Sequence, residues 1–287
     1  MIPAAFVYER ATSVDDALAR LHGHGSDAKV IAGGQSLLPL MKLRLARPDC
    51  LIDIGRLDDL RGIRDRPEGG LSIGALTTWA ALLDDARVRA HGALFDAIPS
   101  IADVQIRNLG TLGGSLVHAD PSSDILAPAI ALDLAVVFAS VRGERSVAVR
   151  DLLVGPFATV IEPDELLTEV HVPGVAGLRS AYRFVAQPAS GFPLAGVAVA
   201  VARDAATGQI TSCGIGVTGV GDMAYRATEV ETSVLAGESP AAAAALVVGD
   251  RRVASDIHAD REYRSAMAVA MTRRALEAVT SDAAPLL

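Results

Sequence analysis

The chain has 287 residues, of which 51% are hydrophobic, 21% charged and only 4% aromatic, with a formal net charge of −8. That is ample for a packed core in one large domain or two to three smaller ones, and the acidic balance argues against a nucleic-acid binder with its basic stripe. No run approaches the roughly 18 consecutive apolar residues of a membrane span, and the N-terminus lacks a basic-then-apolar signal, so no membrane insertion and a cytoplasmic location are expected.

In chain order, residues 1–57 read as a βαβ-like opening. Ser13 begins a helix as N-cap, with Asp15 and Asp16 in its first turn and Val14, Leu18 and Leu21 as its apolar stripe. Val30-Ile31 and Leu51–Ile54 read as short strands. Residues 58–176 continue with an alternating strand at Leu71–Gly74, a helix from Thr77 to Leu83 and another from Ala93 to Ile101. Strands at Ala135–Phe138, Ser146–Val149 and Glu169–Val172 complete that region before Pro173-Gly174. From 177 to 287 the pattern is α+β. Ala195–Ala202 and Ile210–Val217 pair around the turn Asp204–Gly208. A weakly specified helix spans Pro240–Leu246. The last helix runs from Asp260 to Val279, with Tyr263, Met267, Met271 and Leu276 on one core-facing side.

Two glycine pairs carry the chemistry. Gly33-Gly34 follows the apolar run Val30-Ile31-Ala32 and precedes Gln35-Ser36-Leu37, while Gly113-Gly114 lies between Thr111-Leu112 and Ser115. A residue without Cβ lets backbone N–H groups approach an anion, and hydroxyls flank both pairs. Either loop alone fits a tight turn; the two together suggest a diphosphate held from both sides. Asp124 lies at a helix start, where helix capping and a hydrogen bond to a ribose or adenine are both open.

Other signals are negative. Cys50 and Cys213 form no disulfide framework, and an iron–sulfur cluster takes about four thiolates. The six histidines show no metal pattern: His22 and His24 point apart at a helix end, and His118, His171 and His258 are isolated. Gly214-Ile-Gly216-Val-Thr-Gly219 matches the dinucleotide fingerprint, but its β-branched residues fit continued strand rather than a strand-to-helix turn.

The motifs, taken in order, resemble one family. They are Met1–Tyr8, Ala32–Lys42, Ile73–Thr78, Ile106–Ser115, Ala119–Asp124, Glu262-Tyr263-Arg264 and Arg273–Leu276. Their order and spacing are similar to the FAD-binding medium subunit of the molybdenum hydroxylases, the group of xanthine dehydrogenase and carbon monoxide dehydrogenase, over essentially the whole chain. The resemblance implies an α+β (α/β) fold: a PCMH-type FAD-binding domain of two α/β subdomains (1–57 and 58–176), then a C-terminal α+β domain (177–287) with a three-stranded antiparallel sheet and helices.

It also implies a set of cofactor-binding residues. Ala32, Gly33, Gly34, Gln35, Ser36 and Leu37 would hold the FAD pyrophosphate from one side, and Thr111, Leu112, Gly113, Gly114 and Ser115 from the other. Asp124 would contact the ADP portion and Leu167 would lie beside the flavin ring. Arg183 takes the place of a cation, often lysine, that approaches the flavin. Phe192 aligns with an aromatic, often tyrosine. Ser115 departs from the family's usual asparagine. No catalytic residue and no metal ligand is implied here. The molybdenum cofactor would sit on a large partner subunit and 2Fe-2S clusters on a small one, with electrons passing through FAD to an external acceptor. The alternative is a stand-alone FAD oxidase of the vanillyl-alcohol type. Many of those attach flavin through a histidine, and the position after the first glycine pair here is Gln35.

Overall fold

The computed structural model describes residues 2–281 except 175 and 205. Met1 of the opening motif and Ala205 of the turn after the first long C-terminal strand thus lie outside the described residues. Three sheets organise the chain.

The first sheet is parallel, in the order β1-β3-β2, from β1 (Val7–Arg10), β2 (Ala28–Ile31) and β3 (Cys50–Asp53). Helix α1 (Val14–His24) crosses between β1 and β2. Ser13 caps it by accepting a hydrogen bond from the Asp16 N–H, and Ala17, Leu18 and Leu21 are its buried stripe. These three pack on Cys50 and Ile52 of β3. The short helix α2 (Leu37–Lys42) follows the first glycine pair.

The second sheet is antiparallel, in the order β4-β5-β10-β6-β7. Its strands are β4 (Ile63–Asp65), β5 (Leu71–Gly74), β6 (Ala135–Ser140), β7 (Gly143–Ala148) and β10 (Leu166–Val172). The small pair β8 (Leu153–Gly155) and β9 (Ala158–Thr159) precedes β10. Between β5 and β6 come six helices: α3 (Trp79–Asp84), α4 (Ala86–Arg89), α5 (Gly92–Ala97), α6 (Val104–Leu109), α7 (Leu112–His118) and α8 (Leu126–Ala131). The turn α9 (Val149–Leu152) follows β7.

Two features here differ from the sequence expectation. The helix expected over Ala93–Ile101 ends at Ala97 and tightens into a 3-10 turn around Pro99, because proline has no N–H to continue the ladder. A separate helix, α6, then starts at the Asp103 cap. The second glycine pair is not in a loop: Gly113 and Gly114 form the first turn of α7, capped by Thr111. Glycine disfavours helix interiors by about 1 kcal/mol, but the fully buried Leu112 and Leu116 anchor this one.

The third sheet is antiparallel, β11 (Leu178–Ala186), β12 (Pro193–Arg203), β13 (Ile210–Thr218) and β14 (Tyr225–Arg226). The expected three strands are present, and the two-residue β14 adds a short fourth. β12 is covered on both faces, which explains its nearly unbroken apolar run. Val197, Val199 and Val201 join the core under α10 (Thr228–Leu235), α11 (Pro240–Ala244) and α12 (Arg261–Thr280), while Ala198 and Ala200 join the core of α5 and α8. On α12, Met271 and Leu276 are buried as expected, but Tyr263 is exposed because the buried turn starts at Arg264. Arg264 donates to the carbonyls of Leu194 and Gly219, 3.0 and 2.6 Å away, and to the Asp256 carboxylate.

The fingerprint-like segment lies in β13 through Thr218. A Cβ on Gly214 or Gly216 would overlap the carbonyl oxygen of Ala131 or Ala127 on α8. These glycines let a helix lie directly on a strand, and no nucleotide motif is formed.

Candidate functional site

The two glycine segments, 80 residues apart by their first glycines, meet in space. Gly33 follows β2 and packs on the backbone of Leu109 and Gly110, so closely that a Cβ there would overlap the Leu109 carbonyl. Gly34 adopts φ +70°, a conformation natural to glycine. The Gln35 side-chain amide donates to the Gly33 carbonyl over 2.7 Å, which fixes the turn before Ser36 and Leu37. Among the described residues, no hydrogen bond engages the backbone N–H groups of Gly33, Gly34, Gln35 or Ser36. Buried or half-buried N–H groups are rarely left unpaired, so this turn presents donors for an anion.

The second segment is built differently from the expected N–H cradle. Leu112 N–H donates to Thr77 O and Gly113 N–H to Ala75 O, both over 3.0 Å. Gly114 N–H donates to Thr111 Oγ1 over 3.2 Å. The first two donors are spent on docking α7 against Ala75 and Thr77, and the third on the Thr111 cap. What the segment can offer a ligand is its hydroxyls, from Thr111 and Ser115. A Cβ on Gly113 would stand 2.7 Å from the Ala75 Cβ, so this glycine serves packing. A Cβ on Gly114 would meet only Thr111 Oγ1, at 2.8 Å, and otherwise faces open space. That space is the kind of room a cofactor needs beside a hydroxyl-bearing turn.

Asp124 does not cap a helix, since α8 begins two residues later without a side-chain cap. Its carboxylate is buried. Tyr182 Oη donates to its Oδ1 over 2.9 Å, and Ser100 Oγ lies 2.9 Å from the same oxygen. Burial pushes the Asp124 carboxyl up to about 6, against the lowering effect of those hydrogen bonds. The preceding loop is tied to both of its neighbours. Ser115 Oγ lies 3.2 Å from Ser123 Oγ, and Thr218 Oγ1 reaches the carbonyls of Pro121 and Ser123 at 2.9 Å each. Gly219 N–H also donates to Pro121 O. Thus α7, the Asp124 loop and the end of β13 form one hydrogen-bonded unit.

The remaining expected residues are placed less uniformly. Leu167 is buried in β10 opposite Phe138, next to a bulge between Leu167 and Glu169; bulges often re-aim side chains beside functional sites. Arg183 follows Tyr182 on β11. It pairs with Asp96 of α5 at 3.1 Å and lines a cleft of about 370 Å³ with Phe95, Asp96, Pro99, Tyr182 and Phe184. Phe192 is exposed at the β11–β12 turn, where its carbonyl accepts from Gln187 N–H. The structure therefore unites the glycine segments, and it links the Asp124 loop to β11 through Tyr182. Phe192 stands apart from these contacts. Tyr182 and Ser100 were not legible as site residues, because their partner is 58 and 24 positions away.

Known proteins share this fold. The family described as FAD binding domain in molybdopterin dehydrogenase matches residues 4–175, and the CO dehydrogenase flavoprotein C-terminal domain matches 180–279. The carbon monoxide dehydrogenase medium chain of Hydrogenophaga pseudoflava is 38% identical over 285 residues, 97% of this chain and 98% of that one. A solved carbon monoxide dehydrogenase from the same organism, lacking the Mo-pyranopterin moiety of its cofactor, superposes with a TM-score of 0.92 over 97% of this chain and 98% of its own, at 38% identity. Quinoline 2-oxidoreductase from Pseudomonas putida 86 superposes at 0.89 with 30% identity, over 98% of both chains. The full-length match, together with the joined glycine segments, makes this chain a member of the FAD-binding medium-subunit family of the molybdopterin dehydrogenases.

Proposed function

We propose that this chain is the FAD-carrying electron-transfer subunit of a heteromeric molybdenum hydroxylase. The observation that carries the reading is the junction of Gly33 with Leu109-Gly110, which sets the open N–H groups of residues 33–36 beside the hydroxyl-bearing turn of α7. The residues fit FAD: there are free donors for phosphate oxygens on one side, Thr111 and Ser115 hydroxyls on the other, and room at Gly114 that a side chain would fill.

When bound, FAD supplies two-electron and one-electron chemistry, and the protein supplies position and electrostatics. The N–H groups of Gly33 to Ser36 hold and orient the pyrophosphate, with Ala32 and Leu37 bounding the turn. Thr111, Leu112, Gly113, Gly114 and Ser115 close the opposite side. Asp124 faces the ADP portion, with Tyr182 restraining it. Leu167, Arg183 and Phe192 are assigned to the flavin-ring end; the Arg183 cleft supports its part, since it places a cation beside aromatic side chains at the edge of β11. Asp96 neutralises that cation and fixes its direction.

The proposed subdomains are 1–57 and 58–176, with the C-terminal domain 177–287. The gap between the last strand of the parallel sheet and β4 supports the first boundary, and the change of matched family between 175 and 180 supports the second. Partner chains carry the molybdenum cofactor and the 2Fe-2S clusters, and an external acceptor takes the electrons. The presence of only two cysteines here supports clusters on another chain. Among the described residues no helix is long and apolar enough to cross a membrane, and a cytoplasmic assembly is part of the same reading.

Heat release and chromatography of flavin from the purified full chain test the reading, with stoichiometric, non-covalent FAD expected. Gly114→Val is the informative variant. Gly33→Val would break the junction itself, whereas Gly114→Val meets only Thr111 Oγ1. The variant should stay folded and lose at least tenfold in FAD affinity, about 1.4 kcal/mol. Unchanged flavin content in a folded Gly114→Val chain would refute the assignment.

A further inference from the structure

A second side-chain cluster lies at the other end of the first sheet. Cys50 is the first residue of β3 and pairs with Ala28, the first of β2, whereas the glycine turn follows the last residue of β2, Ile31. Glu9 comes from β1 and His24 from the last position of α1, which stops at Gly25 with φ +57°. Glu9 Oε1 stands 3.3 Å from His24 Nε2, and a carboxylate oxygen of Glu9, a ring nitrogen of His24 and Cys50 Sγ all lie within 4.8 Å of one another.

Three details distinguish this cluster from an incidental ion pair. Arg20 takes the other Glu9 oxygen, Oε2, at 2.6 Å and is itself held by Asp16 at 2.8 Å, so Oε1 stays turned toward His24. Supporting hydrogen bonds of this kind orient metal-binding carboxylates. Cys50 is 2% exposed, is not in a disulfide, and its Sγ makes no hydrogen bond among the described residues. Glu9 and His24 are 25% and 36% exposed, so two of the three donors face solvent.

The geometry points to a binding site for one divalent, thiophilic transition-metal ion of the zinc type, ligated by Glu9, His24 and Cys50. Bond lengths of about 2.0–2.3 Å place donor atoms around tetrahedral zinc about 3.3–3.7 Å apart, so the cluster needs only small side-chain adjustments to close. One carboxylate and one thiolate balance the dication. On binding, the Cys50 thiol loses its proton to solvent as the sulfur–metal bond forms, and His24 binds as the neutral ring. Thiolate with imidazole and carboxylate favours zinc over magnesium or calcium. The fourth position is left for water.

The test uses the full chain stripped with a chelator, re-equilibrated with a zinc buffer, then analysed for metal content and by zinc-edge X-ray absorption. This readout does not depend on flavin. One zinc per chain with a single sulfur neighbour is expected. Cys50→Ser should remove the sulfur scatterer. His24→Gln, at a half-exposed position, should weaken zinc binding at least tenfold, and Gly114→Val should leave it unchanged. Absence of bound zinc, a zinc site without sulfur, or equal affinity in His24→Gln would overturn the proposal.

Discussion

Asp124 shows how one side chain can hold two parts of the molecule together. Its carboxylate accepts hydrogen bonds from a residue of β11, Tyr182, and from Ser100 beside α5, in a setting with little water. Because burial raises its pKa from 3.8 to about 6, the folded protein binds more protons than the unfolded chain between those values. Stability therefore falls as pH rises through that window and is level above it. A shift of about two units corresponds to about 3 kcal/mol at most. Asp124→Asn should remove that slope. Thermal melts of the flavin-free chain from about pH 4 to about 7 should show wild type losing stability relative to the variant as pH rises. Parallel profiles would mean that Asp124 titrates normally. Burial drives Tyr182 the same way, keeping its hydroxyl protonated as the donor.

At the level of elements, most strands and helices were legible because each has a local cause. Ser13 caps α1, and the apolar run of β12 matches a strand buried on both faces. The glycine pairs were legible as special positions, but their two roles were not separable. Gly33-Gly34 frees N–H donors, while Gly113 is spent on contact with Ala75, and only spatial neighbours distinguish the two. Helix α6 was missed because Ile106–Gly110 read as the approach to a loop, when the Asp103 cap starts a helix there. The Glu9–His24–Cys50 cluster was equally hidden, since its outer members are 41 positions apart and no local spacing joins them. The fingerprint in β13 was correctly read as strand, and its glycines have a cost attached. Gly216→Ala should force α8 off β13 and destabilise the protein by about 1–3 kcal/mol, seen as a lower denaturation midpoint. A neutral effect would mean that the helix-on-strand contact is looser than the backbone indicates.

Across the whole molecule, the three sheets share their cores: Ala139 and Leu166 of the second sheet pack with α1 and β3, and Ala198 and Ala200 of β12 pack with α5 and α8. The turn after β2 meets the end of α6 at Gly33 and Leu109. The second sheet meets the C-terminal sheet through α5, α8 and the loop ending at Asp124.

The hydrogen bonds from Thr218 and Gly219 to the loop at Pro121 and Ser123 tie the C-terminal sheet to the proposed cofactor site. A ligand present at 100 times its dissociation constant stabilises the form that binds it by about 2.7 kcal/mol. With the proposed site, that free energy should extend beyond the glycine segments, because opening the end of β13 breaks the hydrogen bonds that hold the loop before Asp124. Amide exchange at the end of β13 should therefore slow on FAD addition although no residue of that strand is assigned to the cofactor. Exchange confined to the first two sheets would show the domains to be energetically independent. If the coupling holds, cofactor occupancy is readable in the C-terminal sheet, beyond the segments assigned to FAD.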